Sequence, residues 1–101
     1  MIRVRHYTRV SAMRKILADQ RIIAHDQNKV FVESAAARRL SAVDAKEKYG
    51  MSRGKGAAYI EFDIEPDLLG HRDNPRMQCE ESFVVGDVDL RQRNPEAFFN
   101  F

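Results

Sequence analysis

The sequence predicts a mixed α+β fold. Three observations carry that prediction. A strand-like alternation opens the chain, two segments with helical spacing follow in its first half, and short strands dominate the second half. The 101 residues fit one domain, expected to span 1–101, with a modest core. At 44% apolar residues the chain as a whole is expected to fold rather than stay disordered.

The first strand is expected at residues 2–7. Alternation places Ile2, Val4 and His6 on one face and Arg3, Arg5 and Tyr7 on the other. A helix follows, with Thr8 or Ser11 as cap and Met13, Ile16 and Leu17 at helical spacing. Ile22 and Ile23 suggest a short extended piece, residues 25–28 a turn, and residues 30–32 a strand. The second helix starts at Ser41, where Ser41 and Asp44 resemble a capping box, and Gly50 suits its stop. Residues 52–56 form a basic, glycine-containing loop. The clearest strand is 58–64, with Ile60, Phe62 and Ile64 on one face and Tyr59, Glu61 and Asp63 on the other. An irregular loop is expected over 65–80, followed by a strand with Glu81, Phe83 and Val85 on one face, a turn at Gly86 and Asp87, and a short strand at 88–90.

His6 and Glu81 stand out because each continues an apolar strand face. An ionisable group there costs desolvation unless it is paired or used. Two readings stay open for each: a strand emerging into water, or a functional group. Tyr59 is either an amphipathic ring at a sheet edge or a flat surface for a planar ligand.

Other chemistries find no support. Gly54-Lys55-Gly56 lacks the spacing of a phosphate-binding P-loop, and no Gly-x-Gly-x-x-Gly is present. His6, His25, His71 and Cys79 have no zinc-ligand spacing, so no metal is expected. Nothing near Cys79 suggests an activated thiolate paired with His6. A lone cysteine makes no internal disulfide. No apolar run approaches the roughly 18 residues of a membrane span, and no signal-peptide pattern opens the chain, so export, if it occurs, is expected to need another carrier. The formal charge of +2 permits an acidic partner without demanding one.

Val4-Arg5-His6-Tyr7-Thr8 and the helix after it resemble the opening of ADP-ribosyltransferases of the His-Tyr-Glu class. Gly54-Lys55-Gly56-Ala57-Ala58-Tyr59-Ile60-Glu61-Phe62 is similar to that class's second segment. Asn74-Pro75-Arg76, Glu81 and the run from Val85 to Leu90 resemble its closing segment. The likeness is closest to the short toxin domains of bacterial Rhs-type polymorphic toxins, the TreTu type in particular. It implies a compact ADP-ribosyltransferase-like split β-sheet core with two short helices. It implies NAD⁺ as substrate, with His6 on the adenosine ribose, Thr8 supporting that strand end, Tyr59 stacked on the nicotinamide, and Glu81 as the catalytic acid. It further implies elongation factor Tu as target, a cognate immunity protein as partner, and secretion within a larger Rhs-type effector, by type VI secretion for instance. Action would follow in the cytoplasm of the target bacterium.

One departure bears on the acceptor. Many arginine- or asparagine-modifying members carry Gln or Glu two residues before the catalytic Glu, where this chain has Cys79. Glu80 competes with Glu81, and the face shared with Phe83 and Val85 favours Glu81. Arg72, Asp73 and Arg76 of the 65–80 loop are expected to read the target surface. Three other readings stand beside this one: a compact α+β ribonuclease, a binding module using the arginine-rich first segment, and a transferase acting on structured RNA.

Overall fold

The computed structural model describes residues 1–24, 26–49, 56–74 and 79–100. Strand β1 (Ile2–Thr8) is central. It pairs antiparallel along its full length with β4 (Ala58–Ile64), from Ile2↔Ile64 to Thr8↔Ala58. The run 58–64 forms the strand that its alternation predicts. On the other side of β1 lies β3 (Lys29–Ser34), followed outward by β6 (Cys79–Val85) and β5 (Leu69–Asn74). With β8 (Glu96–Phe99) beside β4, the order is β5-β6-β3-β1-β4-β8, antiparallel throughout. Strands β2 (Arg21–Ile22) and β7 (Val88–Asp89) form a separate two-stranded sheet.

The large sheet is close to being two. β1 and β3 are paired at Val4↔Ser34 and Arg5↔Glu33 and then part. A short seam therefore joins two three-stranded halves, β8-β4-β1 and β3-β6-β5. This is the split sheet that the sequence led us to expect, with two short helices added to it.

Alternation decides what each face carries. Val4, Ile60, Phe62, Ile64, Val30, Val32 and Val84 pack with Met13 and Ile16 of α1 (Val10–Asp19), with Ile22, and with Val88 and Leu90. The opposite face holds a smaller cluster. There Tyr7 and Tyr59 meet Ala45 of α2 (Ala42–Tyr49), with Leu40 and Phe98 alongside.

Several expectations change. Helix α1 has Arg9 at its N-cap position and no side-chain cap, because Thr8 is used by β1 and Ser11 lies inside the helix. Its far end closes on Gln20, whose left-handed backbone (φ 53) sends its N–H to the Ile16 carbonyl. In α2 the Ser41 Oγ does accept the Asp44 N–H at 3.1 Å. The Gly50 stop and residues 52–55 of the basic loop lie outside the described residues. The largest correction concerns residues 65–80. Within them a 3₁₀ turn (Pro66–Leu68) leads into β5, paired with β6 from Leu69↔Val84 to Asn74↔Cys79. The strand was hidden because it is a polar sheet edge, where charged side chains replace apolar alternation. Gly70 is there for close packing: a Cβ at that position would sit 2.4 Å from Cε2 of Phe83.

Arg5 holds the seam. Its side chain is buried, and its guanidinium reaches both halves of the sheet. Nε donates to Glu61 Oε2 on β4 at 3.0 Å, and Nη1 to Glu33 Oε2 on β3 at 2.7 Å. Nη1 also donates to the Ala37 carbonyl and Nη2 to the Ala35 carbonyl, at 3.1 and 3.0 Å. Burial works against the charged form, but the hydrogen bonds of Tyr7, Glu61 and Glu33 outweigh it and raise the pKa above that of an ordinary arginine. Removing this cation strands two carboxylates. Arg5→Ala should lower unfolding stability by about 3–5 kcal/mol in urea denaturation. Arg3→Ala, whose partners Asp63 and Glu96 are more exposed, should change it little.

Candidate active site

The fork between the two halves opens next to the seam, and His6 stands at it. Its Nδ1 lies 2.8 Å from the Phe31 carbonyl of β3. A carbonyl can only accept, so Nδ1 carries the proton and, in the neutral ring, Nε2 is the acceptor. Thr8 ends the same strand. Its carbonyl accepts the Gly56 N–H at 3.0 Å, which ties the end of β1 to the approach to β4. Gly56 takes φ +92, a conformation that glycine adopts without strain.

Tyr59 lies across from Tyr7 on β1. Its ring stacks on Phe98 at 5.0 Å and meets Tyr7 edge-on at 6.0 Å, and the Arg5 guanidinium lies 5.3 Å from its centroid. The Tyr7 hydroxyl is itself bonded twice. It donates to Glu33 Oε2 at 3.0 Å and accepts the Leu40 N–H at 2.8 Å. Burial raises its pKa first; the Leu40 N–H opposes the shift, and the nearby Glu33 charge adds to it.

Tyr59 also borders a cleft of about 840 Å³, lined by Arg38, Arg39, Leu40, Ser41, Asp44 and Tyr59 among the described residues. A volume in this range suits a nucleotide-sized ligand. A second cleft of about 540 Å³ lies by the two-stranded sheet, lined by Asp19, Gln20, Arg21, Asp87, Asp89 and Arg91. Four of its charges form ion pairs, Arg21 with Asp87 and Arg91 with Asp89. Arg91 draws the Asp89 carboxyl down to about 2.

Glu81 sits on β6, buried, with Oε2 2.8 Å from Nε of Arg72 on β5. The structure does not gather the predicted residues into one pocket. Tyr59 reaches the larger cleft, while His6, Thr8 and Glu81 do not line it. Strand β3 separates His6 from Glu81. Register puts His6 opposite Ile60 of the main core, and Phe83 opposite Phe31 on the other face. The face of Glu81 is therefore not the core face, as its apolar neighbours suggested, but the face that also bears Arg5, Tyr7 and Tyr59. The side chains of Cys79 and Glu80, together with Arg76, lie outside what the structure describes. Arg72, expected to read a target, is turned onto Glu81. Among the described residues no group of three His, Cys, Asp or Glu side chains could hold a metal ion. No helix among them is long and apolar enough to cross a membrane.

A model of the toxin family described as "HYD1 signature containing ADP-ribosyltransferase" matches residues 4–92. The chain belongs to this family of ADP-ribosyltransferase toxin domains. No curated protein and no solved structure gives a significant match. The matched span takes in His6, Tyr59 and Glu81, and it also includes residues that sequence reasoning passed over. Arg38 and Arg39 stand at the mouth of the larger cleft in this ADP-ribosyltransferase domain, and Ser41 and Asp44, read as a helix cap, help to line it. The signal for the cleft was the adjacent arginine pair, separated from that cap by Leu40 alone. Arg5, Glu33 and Tyr7 form the cleft's buried support, and their signal was a charge at the middle of a strand.

The shifted Tyr7 gives a pH test. Its folded pKa lies above the unfolded value near 10, so the stability it confers is complete below pH 10 and is lost as pH rises through the folded pKa. Urea midpoints measured from pH 8 to 11 should fall more steeply for the wild type than for Tyr7→Phe.

Proposed function

We propose that this toxin domain is an antibacterial mono-ADP-ribosyltransferase that cleaves NAD⁺ and transfers ADP-ribose to the translation machinery, with elongation factor Tu as the target. The observation that carries the transferase chemistry is the family match over residues 4–92, and the choice of target rests on the resemblance of the motifs. The local chemistry agrees with it. Nicotinamide is already cationic in NAD⁺, so it leaves as a neutral molecule without a general acid. The bond between the ribose C1′ and the ring nitrogen breaks and its electron pair goes with nicotinamide. An oxocarbenium-like ribose is left for the nucleophile of the target, which forms the new bond at C1′ and gives up its proton.

Glu81 supplies negative charge to this cationic ribose and a hydrogen-bond acceptor for its hydroxyl. His6, its ring held at the fork by Nδ1–H to the Phe31 carbonyl, contacts the adenosine ribose. Thr8 steadies that strand end. Tyr59 offers its ring to the nicotinamide, and Arg38 and Arg39 at the same cleft suit the pyrophosphate. His6 lies on the core face and Tyr59 and Glu81 on the other, so for these residues to act on one molecule NAD⁺ must pass from the larger cleft into the fork between β1 and β3. The domain would be delivered within a Rhs-type effector, act in the cytoplasm of the target cell, and be blocked by a cognate immunity protein.

Purified domain incubated with labelled NAD⁺ and a bacterial lysate should label one protein of the size of elongation factor Tu. Glu81→Ala should cut that label by about a hundredfold or more. Label in RNA would keep the chemistry and move the target. Cleaved RNA without label would replace the reading with a ribonuclease. In the same assay His6→Ala should raise the KM for NAD⁺.

A further inference from the structure

Arg72 has no role in the reading above, yet three contacts fix its guanidinium. Nε meets Glu81 Oε2 at 2.8 Å, and Nη1 donates to Gln27 Oε1 at 2.7 Å. Its Cζ lies 5.0 Å from the centroid of the Phe31 ring. Arg72 and Glu81 are also direct cross-strand partners in the β5–β6 ladder. Gln27 is presented from a left-handed backbone (φ 57) within the short turn Asp26–Asn28.

The pair is unequal in exposure. The Glu81 side chain is 6% exposed and that of Arg72 is 37%. Two residues along the same strand face, the apolar Val85 is 65% exposed. A carboxylate in the middle of β6 is thus more buried than the aliphatic side chain that ends the strand, the reverse of what burial energetics alone would select. A glutamate carboxylate has three side-chain torsions, so burial alone does not choose the orientation of its oxygens. A planar guanidinium, itself held by an amide and a ring, gives it one orientation.

We propose that Arg72 is a positioning residue for Glu81, holding Oε2 so that the carboxylate keeps a single orientation toward the ribose of NAD⁺. This rests on the reading of Glu81 as the catalytic acid. Gln27 and Phe31 complete the support. Arg72 does not touch substrate, and its effect falls on turnover rather than on NAD⁺ binding.

The test is steady-state transfer of labelled ADP-ribose to lysate acceptors, measured over a range of NAD⁺ concentrations. Wild type, Arg72→Ala, Arg72→Lys and Glu81→Ala are compared, with thermal melts to confirm folding. Arg72→Ala should lower kcat by about tenfold to a hundredfold, with KM for NAD⁺ changed by less than about twofold. Added ethylguanidinium should restore part of the loss, and Arg72→Lys should fall between. Wild-type kcat, increased activity or a change confined to KM in Arg72→Ala, with Glu81→Ala inactive, overturns the positioning role and leaves Glu81 standing. An active Glu81→Ala overturns the reading of Glu81 itself. Should Arg72→Ala fail to fold, Arg72→Lys decides: reduced kcat at unchanged KM supports the role, and wild-type kcat overturns it.

Discussion

The guanidinium of Arg5 is the constraint on which the remaining structure depends. A sheet that is paired across its middle strands at Val4↔Ser34 and Arg5↔Glu33 has little ladder to hold its halves together. Arg5 supplies the missing connection by bonding Glu61 on one half and Glu33 on the other. It also binds the carbonyls of Ala35 and Ala37, so the segment leading to α2 is anchored by the same side chain. A buried cation with two partly buried carboxylate partners is a costly way to join strands. An aliphatic residue would join them without fixing the segment that leads to the cleft wall. The polar solution makes sense where the position of that wall matters more than stability.

The fork follows from the shortness of the seam. Past Arg5 the strands part, and His6 meets the Phe31 carbonyl with its ring rather than with its backbone. Tyr7, next in sequence, turns to the other face and links Glu33 to the Leu40 N–H. Three consecutive residues of β1 thus perform three tasks: Arg5 joins the halves, His6 marks where they open, and Tyr7 secures the start of the cleft wall. A single strand register sets all three, which is why a shift of β1 by one residue would reverse every one of them.

Much of the fold was legible in the sequence, because the strands that build the core carry regular alternation. The run from Ala58 to Ile64 and the opening strand are of this kind, and the split sheet itself came from the resemblance of the His6 and Tyr59 segments. Strand β5 was not legible. Gly70, His71, Arg72, Asp73 and Asn74 read as loop residues because a sheet edge requires no second apolar face. The cap of α1 was misplaced for a related reason: Thr8 suits both a strand end and a cap, and the β4 ladder decided between them. Of the candidate residues, His6, Tyr59 and Glu81 stood out by pattern and Thr8 by the resemblance, whereas Arg5, Glu33, Arg38 and Arg39 did not. Arg5 and Glu33 matter through contacts between residues far apart in the chain, and Arg38 and Arg39 through the cleft that they line. Such contacts leave no local signal beyond a charge where an apolar residue is expected.

The central claim is that one NAD⁺ molecule spans the Tyr59 cleft and the fork at His6. It is tested most directly by titrating NAD⁺ into isotope-labelled Glu81→Ala domain, chosen to prevent turnover, and following the backbone amides by NMR. The account predicts saturable shifts at His6, Arg38, Arg39, Ser41 and Tyr59, with the second cleft around Asp87, Asp89 and Arg91 unmoved. Shifts confined to that second cleft, or none at all, would contradict it.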